Sequence, residues 1–72
     1  MGDQSTIPAR EAPGRLLRMR DVMRETGLSR RTIERRVNAG TFPGRIRLGP
    51  QSVAWSEREI EAWKQEQIAA QH

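Results

Sequence analysis

The sequence predicts a mostly α-helical fold with a small β-hairpin and three helices, on three observations. Apolar residues at i, i+3, i+4 before Gly27 and at i, i+4 after it mark two short helices. Charged and apolar residues alternate across Arg45–Leu48, and apolar residues alternate again across Val53–Trp55, beyond a Gly-Pro turn. Ser56-Glu57-Arg58-Glu59 then has the form of a capping box, with Ser at the cap and Glu three residues later, just before an apolar pair.

Residues 1–14, MGDQSTIPAREAPG, carry two prolines and two glycines without apolar periodicity and read as a disordered tail. Leu16-Leu17-Arg18 suits one brief strand or an extended entry. Met19, Val22 and Met23 share the buried face of the first helix as packing residues. Asp21 lies favourably near its positive end, although no Ser or Thr cap precedes it. Gly27 falls where a left-handed C-terminal cap belongs. Ser29 is a good N-cap for a second helix over residues 30–39, with Ile33 and Val37 as its buried stripe and Gly40 closing it. Thr41–Gly44 is a loop by composition.

Arg45–Leu48 and Val53–Trp55 form the hairpin across a four-residue turn, Gly49-Pro50-Gln51-Ser52. Its inner face is expected to be Ile46, Leu48, Val53 and Trp55. The third helix carries Ile60 and Trp63 inward and runs to about Gln67, with residues 68–72 fraying. The folded domain therefore spans residues 15–67. Helix, turn, helix, hairpin and helix in this order make a small winged helix-turn-helix.

Composition narrows the function. A chain of 72 residues, 35% hydrophobic with a mean hydropathy of −0.82, buries a thin core and has room for one small domain. Cysteine is absent and His72 is the lone histidine, so no disulfide framework, thiolate site or histidine cluster is expected, and no cofactor. Apolar runs never exceed three residues, which excludes a membrane-spanning helix and a signal-peptide core. No nucleophile–base pair, phosphate loop or useful pocket is apparent, so an enzyme is not expected. The chain reads as cytoplasmic.

The formal charge of +4 is unevenly spread. Residues 15–50 hold ten arginines against Asp21, Glu25 and Glu34, while both flanks are net negative. Such polarity points to a polyanion, and the planar guanidinium fork suits phosphates and guanine edges. A GC-rich genome explains the preference for Arg over Lys but not the clustering.

The second helix shows where this charge lies. At about 100° per residue, with Ile33 at zero, Val37 lies near 40°, Asn38 near 140°, Arg31 near 160° and Arg35 near 200°. Arg31 and Arg35 therefore face away from the core and are candidates for base edges in a major groove, with Thr32 secondary. Ser29, Arg30 and Arg36 lie on the flanks as phosphate candidates, although Arg30 is also spaced to pair with Glu34. A charged outward face is commonly solvated surface. Here, however, Arg31 and Arg35 are like charges at i, i+4, which costs about 0.2–0.5 kcal/mol unless an anion neutralises them. Arg45 and Arg47 project from the hairpin as a basic wing suited to phosphates or a narrow minor groove. Of Arg18, Arg20 and Arg24, one is a further candidate near the backbone. Phe42, Trp55 and Trp63 fit stacking platforms in a single-strand binder, but in so thin a core they are expected to be its main apolar mass.

The segments RLLRMRDVMRETG (15–27), GLSRRTIERRVNAGTFP (27–43) and RLGPQSVAWSEREIEAW (47–63) resemble the AlpA family of prophage regulators, which is similar to MerR-type and excisionase winged helix-turn-helix domains. The resemblance covers about residues 15–66. It implies sequence-specific binding of double-stranded DNA, transcriptional control of phage or mobile-element genes, and in some members direction of excisive recombination with an integrase. It also implies that Ser29, Arg30, Thr32 and Arg35 lie on the recognition helix and that Gly49-Pro50 forms the wing tip. Glu34 and Arg36 depart from the family pattern, which commonly has tyrosine and an apolar residue there. The expected function is a DNA-binding regulator at the bacterial nucleoid, acting as a homo-oligomer or beside an integrase. An excisionase-type directionality factor and a protein adaptor that works through its acidic third helix are the alternatives.

Overall fold

The computed structural model describes residues 12–71. Six elements follow in order: β1 (Leu16–Leu17), α1 (Met19–Thr26), α2 (Arg30–Ala39), β2 (Ile46–Gly49), β3 (Ser52–Ser56) and α3 (Glu57–Ala70). They form three helices and a small antiparallel sheet in which β3 is central, between β1 and β2. The architecture is the winged helix-turn-helix that the sequence predicts.

The helices begin and end where the local chemistry requires. The Ser29 hydroxyl accepts from the Thr32 N–H at 3.2 Å and starts α2. The helix closes on Gly40 at φ 78°, where the Gly40 N–H reaches Val37 O at 3.1 Å and the Thr41 N–H reaches Arg36 O at 3.0 Å. These two bonds make a Schellman cap. Gly27 ends α1 with a single bond to Met23 O at 2.8 Å. At the start of α1, where no Ser or Thr is available, the Asp21 carboxylate accepts from the Arg18 N–H at 3.0 Å.

The start of α3 is satisfied from a distance. Its first helical N–H groups lack intrahelical partners. That of Glu57 donates to Arg15 O at 2.9 Å, that of Arg58 to Pro13 O at 3.0 Å, and that of Glu59 to the Ser56 hydroxyl at 3.1 Å. The same Pro13 carbonyl accepts from Ser56 Oγ at 2.8 Å. The expected tail of residues 1–14 thus needs a correction at its end, because Pro13 is fixed by caps for α3. Residues 1–11 of that tail, and His72, lie outside the described residues. α3 itself continues to Ala70, three residues past the expected end at Gln67.

The core gathers Leu17, Val22, Ile33, Phe42, Trp55 and Ile60, with Met19, Met23, Leu28, Val37, Val53 and Trp63 packed against it. Phe42 and Trp63 meet edge to face, with centroids 4.9 Å apart. The aromatic residues, Met19 and Met23 therefore lie in the packing, as the sequence predicts.

The hairpin differs from expectation in its inner face. Gly49 pairs with Ser52 across a turn at Pro50-Gln51, but Arg47 then pairs with Val53 and Ile46 with Ala54. Leu48 is the extra residue of a β-bulge, with no partner of its own. One inserted residue moves every preceding side chain on β2 to the other face. Ile46 consequently shares its face with Ala54 rather than Trp55, and Leu48, expected inside, is 46% exposed. β3, in contrast, is buried from Ala54 to Ser56 because it has a neighbour on each side.

Candidate nucleic-acid interface

The buried side chain of Ile33 fixes the orientation of α2. Arg31, Arg35 and Asn38, on the far side of the helix from it, are exposed, and Arg36 is half-buried. Among the described residues, no carboxylate lies within 4 Å of the guanidinium groups of Arg31, Arg35, Arg36, Arg45 or Arg47. The acids that do pair are used elsewhere. Asp21 faces Arg24 at 3.6 Å, Glu57 faces Arg15 at 3.3 Å, and Glu25 and Glu61 both hold Lys64 Nζ, at 2.9 and 3.0 Å.

The remaining candidates on α2 are partly committed. Arg30 Nη1 lies 3.7 Å from Glu34 Oε2, the i, i+4 pair that their spacing allows. The Ser29 hydroxyl caps the helix and donates to Thr32 Oγ1 at 3.0 Å, so Ser29 and Thr32 form one hydrogen-bonded unit at its start. The first turn of α2 contains no acidic residue. Its positive dipole end thus coincides with Arg30 and Arg31, an arrangement unfavourable in isolation and relieved by an anion.

The wing is exposed at Arg45, Arg47, Leu48, Pro50 and Gln51. It is held to the rest of the domain by Arg18, whose Nη1 donates to Ser52 Oγ and to Val53 O, each at 3.0 Å. Sequence reasoning grouped Arg18 with Arg20 and Arg24 and missed this contact. No local signal reveals it, since the partners lie 34 and 35 residues away.

Two groups of the scaffold, Glu57 and Lys64, have shifted titrations. The Arg15 backbone N–H, and then its guanidinium, hold the Glu57 carboxyl below its ordinary value. The Glu25 and Glu61 carboxylates hold the Lys64 ammonium above its ordinary value.

An open groove of about 470 Å³, which the sequence did not suggest, separates residues 40–43 from α3. Phe42, Pro43 and Trp63 form its apolar part, and Glu59 and Glu66 line it as well. Those carboxylates repel phosphate, and its lining holds no histidine, cysteine or lysine. Among the described residues, no helix is long and apolar enough to cross a membrane.

Residues 15–68 match the family model described as prophage CP4-57 regulatory protein (AlpA). The chain is similar to the uncharacterized protein ORF88 of Enterobacteria phage P4, with 44% identity over 55 residues that cover 76% of this chain and 62% of that protein. It thus spans less than two thirds of the phage protein's length. It is also similar to the DNA-binding transcriptional activator AlpA of Escherichia coli (strain K12), with 40% identity over 55 residues that cover 68% of this chain and 79% of that protein. No solved structure matches it.

Proposed function

This chain belongs to the AlpA family of prophage regulatory proteins, and from that premise we propose that it is a sequence-specific, double-stranded DNA-binding transcriptional regulator. α2 enters the major groove, Arg31 and Arg35 read base edges with Thr32 in a secondary role, and Ser29, Arg30 and Arg36 meet flanking phosphates. Arg45 and Arg47 carry the wing onto the neighbouring backbone. The observation that supports this reading most directly is the exposed pair Arg31 and Arg35, without a carboxylate partner among the described residues, on the side of α2 opposite buried Ile33. A guanidinium pair at i, i+4 without a carboxylate is a net liability to the free domain and an asset on a polyanion.

A single module of this size covers roughly 600–1,000 Å² on DNA. The protein therefore acts in the cytoplasm through repeated sites, as a homo-oligomer or beside a second DNA-bound protein such as an integrase.

Selection of bound sites from random duplexes, followed by titration of the selected site against salt, tests the proposal. With about five phosphates neutralised, log K falls by about 4.5 per tenfold rise in salt. Enrichment of one motif with a steep slope is the expected result. A flat salt response, or retention of all duplexes alike, refutes it.

A further inference from the structure

β1 pairs with β3 only at Leu16–Ser56 and Leu17–Trp55, after which the backbone leaves the sheet to begin α1. Arg18 stands at that departure. Its N–H donates to Asp21 Oδ2 within the first turn of α1, while its guanidinium reaches back to β3. Nη1 meets the Ser52 hydroxyl and the Val53 carbonyl, the two β3 residues that pair on either side of the bulged Leu48. A charged side chain thus takes over as donor to β3 where the backbone ladder stops. The bulge is the least regular part of the hairpin, and here it is held from one side by the residue that starts the helix-turn-helix.

We propose that Arg18 is the positioning residue of the wing: it braces the bulged β2–β3 turn against the start of α1, so that Arg45, Arg47 and the outward-turned Leu48 are presented in fixed relation to α2. This rests on the DNA-binding reading above. Three observations support it. Both contacts of Arg18 lie at the surface, where single polar contacts add little to overall stability, so their main effect is on geometry. Bulges commonly re-aim a side chain, and this one turns Leu48 out beside two exposed arginines. The planar guanidinium donates to both acceptors from one nitrogen, which fixes the direction of the turn as well as its distance.

The test compares Arg18→Gln, Ser52→Ala and the double variant. Ser52→Ala leaves the positive charge of Arg18 in place and removes one of its anchors. A phosphate-contacting Arg18 is indifferent to that change, whereas a positioning Arg18 is not. In the free protein, amide exchange across residues 47–53 should accelerate about tenfold in both single variants, with α2 and α3 protected as before. On the selected duplex, each single variant should bind about tenfold more weakly and lose protection only on the flank covered by the wing. The double variant should bind no more weakly than Arg18→Gln, because both changes remove one device. Loss of affinity in Arg18→Gln with Ser52→Ala at wild-type strength overturns the proposal and makes Arg18 a phosphate contact. Unchanged exchange in both variants also overturns it. If the wild-type protein retains no duplex, the DNA-binding reading falls, while the exchange measurement still decides whether Arg18 holds the turn.

Discussion

The indole Nε1 of Trp55 donates to the carbonyl oxygen of Pro43 at 3.0 Å, so the largest fully buried side chain also holds the loop that leaves α2. Replacing Trp55 with Phe keeps an aromatic ring in the core but leaves that carbonyl without its donor. A loss of about 1–3 kcal/mol follows. On a domain of this size that lowers the thermal midpoint by roughly 4–8 °C per kcal/mol. Calorimetry of Trp55→Phe checks this, and a midpoint within about a degree of wild type would show that the bond does not matter.

Gly40 closes α2 in the left-handed region, at φ 78°, and a Cβ built there meets nothing within 4 Å. The penalty of Gly40→Ala is therefore purely conformational, about 1–2 kcal/mol. Gly40→Asn is expected to lose less, because asparagine tolerates this conformation. Chemical denaturation of the two variants should rank them in that order.

Arg35 is exposed and has no carboxylate partner among the described residues, whereas Arg30 already faces Glu34. Arg35→Ala should weaken binding to the selected site by about 1–3 kcal/mol and relax preference at one base pair. Arg30→Ala should cost less. Binding to a panel of single-base variants of the site separates the outcomes: a loss from Arg35→Ala equal on every sequence assigns it to a phosphate instead.

Glu57 and Lys64 make stability depend on pH. The Glu57 carboxyl titrates below its ordinary value in the folded protein, mainly through the Arg15 N–H and then its guanidinium. Its contribution is present above the ordinary value of 4.5 and is lost as pH falls through the lowered one. Lys64 is raised by Glu25 and then Glu61, so its contribution is present below the ordinary value of 10.5 and is lost as pH rises past that. Melting curves between pH 6 and pH 3 should fall less steeply for Glu57→Gln than for wild type. Parallel curves would remove Glu57 from the account.

The order of the elements was legible because local interactions specify it. Ser29 and Ser56 start helices through bonds three residues away, Gly27 and Gly40 end them, and Ile33 orients α2 by burial alone. The outward position of Arg31 and Arg35 follows from that periodicity. Inside and outside were legible on β3, where Val53 and Trp55 pack into the core, but not on β2. Alternation places Leu48 inward, and only the pairing of Arg47 with Val53 shows that a bulge reverses the strand ahead of it.

Local chemistry specifies the three helices, the Ser29 and Ser56 caps, the closing glycines, the wing and the basic face of α2, since each depends on contacts within about one helical turn or one hairpin. Tertiary structure alone decided the place of β1 beside β3, the docking of Pro13 on α3 and the grip of Arg18 on the wing turn. Those partners lie more than thirty residues apart, and no residue pattern encodes a contact whose geometry exists only after the core has closed.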